Sequence, residues 1–181
     1  MTDLLRWLEA AKVPSMIIGG VAASVLGQPR LTQDVDALAI LDEEQWASAM
    51  EAATAFGIVP RTEEPLDFAR RSRVLLMKHT ESGIDIDVTF GGLPFERAAV
   101  ENSELHEIGG LSVRLPRVED LLIMKAVARR PKDLLDIEGL LKANPQADVD
   151  RVRQWVREFG TATGMGDMLE EFDKLLARRG R

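Results

Sequence analysis

The pattern of apolar and polar positions along the first two thirds of the chain changes repeatedly between the spacing of a helix and the short runs typical of strands. The strand-like runs cover residues 16–18, 34–41, 73–79 and 84–90, with a weaker hairpin between 105 and 115. Helices are predicted at the N-terminus, at 21–26, at 42–56 and from Pro94. The pattern therefore predicts a mixed sheet with helices around it.

The last third of the chain has helical spacing throughout. Helical segments are predicted at 118–130, 132–143, 149–159 and 167–179, with interruptions at Pro131, Pro145 and Gly160. We therefore expect an α+β fold with two parts. A core of residues 1–115 is built on the sheet, and a helical C-terminal subdomain of residues 116–181 packs on that core.

Composition narrows the chemistry that such a fold can carry out. The 181 residues include no cysteine and only two histidines, His79 and His106. Thiolate catalysis and cysteine zinc sites are therefore excluded, and the two histidines are too far apart for a helical metal site. Any divalent metal must be held mainly by carboxylate oxygen, which favours magnesium or manganese.

The charge differs between the two parts of the chain. The formal net charge is −7, but residues 1–113 carry 9 Lys and Arg against 18 Asp and Glu, whereas residues 114–181 carry 14 against 12. An anionic ligand is better received by the second part or at the junction, unless the imbalance is only random surface variation. No apolar run approaches the ~18 residues that span a bilayer, so we expect a cytoplasmic protein without membrane contact.

Two carboxylates stand two positions apart in the second predicted strand. Asp34 and Asp36 share a face of the strand, with their Cα atoms about 6.5–7 Å apart. The same face continues into Leu38 and Ile40, so the acids begin an otherwise apolar row. Such carboxylates either bind a cation or lie at an exposed strand entrance and pair with arginines such as Arg30.

A second pair of acids alternates with apolar residues in the fourth predicted strand. Asp85 and Asp87 share one face, and the other face is predicted to be buried by Ile84, Ile86, Val88 and Phe90. If this strand neighbours the second one, a third carboxylate meets the first pair across the sheet. Amphipathic alternation on a half-exposed strand explains both acids equally well, and position alone does not choose between them.

A glycine pair follows the first predicted strand and begins a helix. Gly19 and Gly20 would let backbone N–H groups approach a phosphate closely at the positive end of the helix dipole. A tight turn needs the same two residues. Neither the lysine of a P-loop nor the third glycine of a dinucleotide fingerprint follows, so the pair alone is compatible with both roles.

The helical part contains one lysine that falls among apolar positions. Lys125 either supplies a cation to a phosphate or extends its ammonium group to water. Asp133 and Asp136 follow in the next helix, where capping and pairing with Arg129 or Arg130 would also explain them.

Five segments occur in a recognisable order: residues 17–20, 30–36, 82–87, 93–96 and 119–136. Together they resemble the minimal nucleotidyltransferases of the polymerase-beta-like superfamily, and especially the branch that contains abortive-infection-type nucleotidyltransferase toxins. The resemblance covers roughly residues 16–141. It implies a metal-dependent enzyme that moves a nucleoside monophosphate from a nucleoside triphosphate to a hydroxyl acceptor.

The resemblance also implies roles for individual residues. Asp34 and Asp36 match the paired metal ligands, and Asp87 matches the third acid better than Asp85 does, because the family pattern places that acid just before the Val-Thr-Phe end of the strand. These three catalytic acids would hold two Mg²⁺ or Mn²⁺ ions.

Four further positions match parts of the family pattern that handle the nucleotide. Gly19 and Gly20 match the motif that holds triphosphate, although Gly20 stands where many relatives carry serine. Lys125 matches a helical lysine that touches phosphate, and Asp133 or Asp136 matches a later acidic position.

The resemblance does not fix the acceptor. RNA or protein is the first expectation, with a cognate antitoxin as a partner if the chain is a toxin. The alternative enzyme acts on a small cationic molecule such as an aminoglycoside, which would suit the acidic first part. A further alternative is a non-catalytic antitoxin or interaction module that binds nucleotide.

Overall fold

The computed structural model describes residues 1–178, which fall into two units. The first unit comprises Met1–Val21 and Leu31–Pro116, and the second comprises Ala22–Arg30 together with the described residues from Arg117 onward. The strands lie in the first unit, and the C-terminal helices lie in the second. The structure therefore has the α+β composition that the sequence predicts.

Helices of the first two thirds of the chain are α1 Thr2–Ala10, α2 Gly19–Leu26, α3 Glu43–Ala53, α4 Pro65–Ser72 and α5 Pro94–Glu101, with a 3-10 turn at Thr54–Phe56. Strands are β1 Ser15–Ile18, β2 Asp34–Ala39, β3 Ile58–Pro60, β4 Val74–His79, β5 Asp85–Phe90, β6 Glu104–Ile108 and β7 Leu111–Leu115. All the predicted strands are present within a few residues of their predicted bounds.

Five of these strands form one mixed sheet in the order β1-β2-β5-β4-β3. Strands β2 and β5 are parallel, and the other neighbours in the sheet are antiparallel. The weaker predicted hairpin is also present, because β6 and β7 pair as a separate two-stranded sheet. The sequence pattern does not indicate β3, since a three-residue edge strand that ends in Pro60 is too short to show alternation.

Burial along β2 and β5 decides where polar chemistry is possible. On β5 the side chains of Ile86, Val88 and Phe90 are buried, as the alternation predicts. Ile84 is the exception, because it precedes the first residue of the strand and is 39% exposed. On β2 both faces are buried from Ala37 onward, so only the beginning of the strand is open to polar ligands.

The second unit contains four helices in the part that the structure describes. They are α6 Val118–Ala128, α7 Pro131–Ala143, α8 Val149–Thr163 and α9 Met168–Arg178. These are the four segments predicted from the spacing, and residue 179 of the last prediction lies outside the described residues. No described helix is long and apolar enough to cross a membrane.

Helix α8 continues past the glycine at which the sequence predicts an interruption. Gly160 lies inside the helix, and a Cβ atom there would come within 2.9 Å of the Met165 carbonyl oxygen. The helix ends instead at Gly164, whose positive φ of 72° gives a left-handed cap. Gly160 is therefore needed for close backbone approach and does not break the helix.

Candidate active site

The register between β2 and β5 places four carboxylates on one face of the sheet. Asp34 pairs with Asp85, and Asp36 pairs with Asp87. Residues that are directly paired on neighbouring strands face the same side, and residues two apart on one strand do so as well. We call this two-by-two arrangement of Asp34, Asp36, Asp85 and Asp87 the acidic face.

The acidic face lies at the beginning of both parallel strands, where side chains reach solvent. All four carboxylates are half-buried, and they give way to buried apolar residues farther along β2 and β5. Neighbouring strands lie about 4.8 Å apart, so the four negative charges repel one another unless cations are present. Such a surface is suited to binding positive charge.

The glycine pair lies beside this face. Ile18, the last residue of β1, pairs with Asp36, and Gly19 follows with a positive φ of 62° as the first residue of α2. A Cβ atom on Gly19 would overlap the carboxylate of Asp36, so only glycine lets the backbone pass this close to the acid. The structure therefore brings the predicted glycine turn and the predicted Asp-x-Asp pair together.

Two residues that were not assigned a role from the sequence also contact the acidic face. The Thr32 hydroxyl lies 2.7 Å from the carbonyl oxygen of Asp34 and 3.1 Å from its Oδ1 atom. The guanidinium of Arg61, directly after β3, donates to Oδ1 of Asp87 and lies 3.7 Å from Oδ2 of Asp85. No sequence signal marks Arg61, because it follows a strand that the pattern does not reveal.

The remaining predicted site residues form a buried ion-pair cluster in the second unit. The Lys125 side chain is 4% exposed, and its Nζ atom lies 2.6 Å from Oδ2 of Asp136 and 3.2 Å from Oδ1 of Asp133. Arg30 pairs with Asp136 through two nitrogens, at 2.7 and 2.9 Å, and Arg130 Nε donates to Asp133 at 2.6 Å. We call these five residues the Lys125 cluster.

The contacts within the cluster bear on the alternatives that the sequence left open for its members. Lys125 does not extend its ammonium to water, because both partners are buried carboxylates. Asp133 does cap its helix and pair with Arg130, as one alternative states. Arg129 instead pairs with Asp167 and Glu171, so it is not the partner of Asp136.

Electrostatics keep both buried acids of the Lys125 cluster ionised. Burial by itself raises the pKa of Asp136, but hydrogen bonds and charge from Arg30 and Lys125 outweigh it and hold the pKa below its ordinary value of 3.8. Burial opposes ionisation of Asp133 too, and Arg130 and Lys125 likewise lower its pKa overall. The cluster is therefore a set of charged groups at neutral pH.

Acidification is expected to destabilise the fold through this cluster. Because the pKa of folded Asp136 lies below 3.8, the unfolded chain takes up a proton before the folded chain does as pH falls. The contribution of Asp136 to the free energy of unfolding is complete above about pH 5 and is lost as the pH falls through the pKa of Asp136 in the folded state. Urea denaturation between pH 5 and 3 should give a shallower pH slope for Asp136→Asn, by up to about 1.4 kcal/mol per pH unit. The exposed acid Asp150 supplies the control, because Asp150→Asn should keep the wild-type slope; equal slopes for all three proteins would contradict the assignment.

Solved structures with a similar fold are nucleotidyltransferases or resemble them. ANT(2'')-Ia, described as an antibiotic-resistance factor, superposes with a TM-score of 0.60 at 14% identity, covering 90% of each chain. An antigenic nucleotidyltransferase-like protein from Paracoccidioides brasiliensis gives a TM-score of 0.54 at 14% identity, covering 93% of this chain and 90% of that one. At this identity the likeness concerns the fold alone, which is that of a nucleotidyltransferase.

The family model of the AbiEii toxin, a nucleotidyl transferase of type IV toxin–antitoxin systems, matches residues 14–179. The chain belongs to this family, and it is an enzyme of the nucleotidyltransferase class. The resemblance seen in the ordered sequence segments is thereby confirmed. No curated protein sequence matches the chain.

The acidic face fits a divalent metal by the chemistry of its donors. Magnesium and manganese prefer carboxylate oxygen, which is what the four side chains offer. Within residues 1–178, however, no three Asp, Glu, His or Cys side chains converge closely enough to hold a metal as they stand. The carboxylate of Asp87 accepts a hydrogen bond from Arg61.

Proposed function

We propose that the protein moves a nucleoside monophosphate from a nucleoside triphosphate to a hydroxyl acceptor on the acidic face. The observation that carries this proposal is the register of β2 and β5, which sets Asp36 directly beside Asp87 and next to the backbone of Gly19. A group of carboxylates at a helix N-terminus can serve both a metal and a phosphate chain. The alternative, that β5 is only an amphipathic strand with one face in water, does not explain why the backbone of Gly19 approaches Asp36.

In this proposal Asp34, Asp36 and Asp87 are the residues that hold Mg²⁺ or Mn²⁺. Divalent ions held there would lower the pKa of an acceptor hydroxyl and neutralise charge on the phosphates. Asp34 and Asp36 lie on one strand and Asp87 on its parallel neighbour, so the sheet fixes the spacing of the three acids. Asp85 is left out because Asp87 matches the third acid of the family pattern better, and Asp87 is the acid that pairs with Asp36 beside the glycine turn.

The chain's own groups account for the rest of the reaction. Backbone N–H groups at Gly19 and Gly20 bind the triphosphate at the start of α2. The acceptor oxygen forms a bond to the α-phosphorus, the bond from that phosphorus to the oxygen bridging the β-phosphate breaks, and pyrophosphate leaves. Asp87 receives the proton of the acceptor hydroxyl. Positioning and electrostatics suffice for such a transfer, and no covalent nucleophile is needed.

Lys125 enters the proposal through the family resemblance as the lysine that touches phosphate, and Asp133 enters it as the later acidic position of the family pattern. The Lys125 ammonium already binds two carboxylates, at 2.6 and 3.2 Å. Because an ammonium has three N–H donors, contact with a phosphate does not by itself require either of these bonds to open.

For the acceptor we propose RNA or protein, and for the biological role a toxin with a cognate antitoxin as partner. The support is the family description, which names a toxin of a type IV toxin–antitoxin system. A small cationic acceptor is the second candidate, because residues 1–113 carry 18 acidic against 9 basic side chains.

The test is transfer of label from each α-³²P nucleoside triphosphate, with magnesium, to total RNA, total protein or an aminoglycoside. We expect label to enter one of the first two pools with wild-type protein and to be absent with the Asp34→Ala/Asp36→Ala variant. Transfer to the aminoglycoside alone would favour the second candidate. Equal transfer by wild type and variant would overturn the assignment of the site.

A further inference from the structure

Arg61 is hydrogen-bonded to the carboxylate of Asp87, which the proposed metal site needs as a ligand. It donates to Oδ1 of Asp87, and the two side chains are 29% and 27% exposed, so the pair is partly shielded from water. The backbone N–H of Arg61 also donates to the carbonyl of Leu76, which pairs with Asp87 on the next strand. The position of Arg61 beside Asp87 is therefore fixed by the sheet and is not a chance contact of a free side chain.

Asp85 offers the same guanidinium a second partner. Its Oδ2 atom lies 3.7 Å from Arg61 Nη1, and its Oδ1 atom lies 3.7 Å from Lys78 Nζ. Both distances are longer than a hydrogen bond. Oδ2, the oxygen nearer Arg61, accepts no hydrogen bond from it at this distance, and Oδ1, the oxygen nearer Lys78, is buried without a hydrogen-bond partner.

These contacts indicate a role for Asp85, the fourth carboxylate of the acidic face. We propose that Arg61 is a positioning residue that competes with the metal for Asp87 and transfers to Asp85 when the metal binds, an inference that rests on the proposed function. Without metal, Arg61 offsets the repulsion among the carboxylates and holds Asp87 in place. With metal, Asp87 is released to the site, and the guanidinium stays paired because Asp85 is already within 3.7 Å.

The proposal is tested by titrating the full chain with Mn²⁺ in the absence of nucleotide. The concentration of free Mn²⁺ is measured by electron paramagnetic resonance. The Arg61→Gln variant is expected to bind Mn²⁺ about fivefold more tightly than wild type, which corresponds to about 1 kcal/mol. This is the upper range for a partly exposed ion pair. A structural role alone would lower thermal stability and leave the affinity for Mn²⁺ unchanged.

A matched arginine elsewhere on the first unit controls for the loss of one positive charge. Arg70 also bridges two carboxylates, with hydrogen bonds of 3.0 Å to Glu43 and 2.6 Å to Asp67. The Arg70→Gln variant should bind Mn²⁺ as wild type does. If it tightens binding as much as Arg61→Gln, the effect is one of net charge and the competition is wrong.

Asp85→Asn tests the second half of the proposal in a double-mutant cycle with Arg61→Gln. In the wild-type background it should weaken Mn²⁺ binding, because Arg61 then has no second partner. In the Arg61→Gln background its effect should be at least about threefold smaller. Additive effects would overturn the transfer to Asp85. Equal Mn²⁺ affinity of wild type and Arg61→Gln would overturn the competition and leave the proposed function standing, whereas no Mn²⁺ binding by either protein would overturn both.

Discussion

The Asp36→Asn variant is expected to transfer nucleotide about 10²–10³-fold more slowly than wild type at saturating magnesium, the loss typical of removing one preorganised electrostatic group from an active site. Asp36 is the central acid of the proposed site, because it pairs with Asp87 across the parallel ladder and contacts the backbone of Gly19. Asparagine keeps the shape of the side chain and removes its charge. The rate of label transfer to the acceptor pool is the measurement.

The matched comparison is the same change at Asp85, which is also half-buried on the same face. At saturating metal the Asp85→Asn variant should keep its rate within about threefold of wild type, as surface substitutions outside a catalytic site do. Thermal denaturation of both variants controls for folding. A loss at Asp85 as large as that at Asp36, with both proteins folded, would show that the wrong acid had been left out of the site.

The strands that carry the acidic face can be predicted from the sequence because their signals are local. Alternation over 84–90 identifies β5, and the apolar run after Asp36 identifies β2. The pairing of Asp36 with Asp87 is a long-range property of register, which a single sequence does not encode in any local pattern. The resemblance to a family supplied the expectation that Asp87 joins Asp34 and Asp36 as a third acid, and the ladder between β2 and β5 gives the register.

Arg61 could not be predicted for a related reason. It follows β3, a strand of three residues that ends in proline, and its partner Asp87 lies 26 positions away in the chain. A lone arginine in a polar loop has many possible partners. Only the order of β3, β4 and β5 in the sheet brings this one to the acid.

The Lys125 cluster illustrates the same limit inside the helical unit. Spacing places the lysine among apolar neighbours and predicts either a phosphate contact or an ammonium extended to water, whereas the structure has a buried ion pair. The partner acid Asp136 is 11 positions away, but Arg30, which completes the pairing of Asp136, is separated from it by 106 positions. The sequence therefore identifies the charged residues but not the closed network that they form.

Replacing Lys125 with methionine is expected to lower the free energy of unfolding by about 3 kcal/mol, the lower end of the cost of removing one partner of a buried ion pair, because each carboxylate keeps an arginine partner. Asp133 is fully buried and Asp136 is 7% exposed, so water cannot replace the ammonium at either acid. Methionine fills a similar volume, which limits the contribution of lost packing. Urea denaturation at pH 7 measures the change, with Lys142→Met, an exposed lysine on α7, expected to stay within about 0.5 kcal/mol of wild type.

Neutralising the acids separates this structural role from a phosphate contact. Adding Asp133→Asn to Lys125→Met removes one of the two buried charges that have lost the ammonium, so the double variant should be more stable than Lys125→Met alone. A pure phosphate ligand would behave differently: Lys125→Met would then weaken nucleotide binding and leave unfolding within about 1 kcal/mol of wild type. That result would show that the substrate needs the ammonium and the fold does not. The two buried carboxylates would then keep their charge because Arg30 and Arg130 compensate it sufficiently.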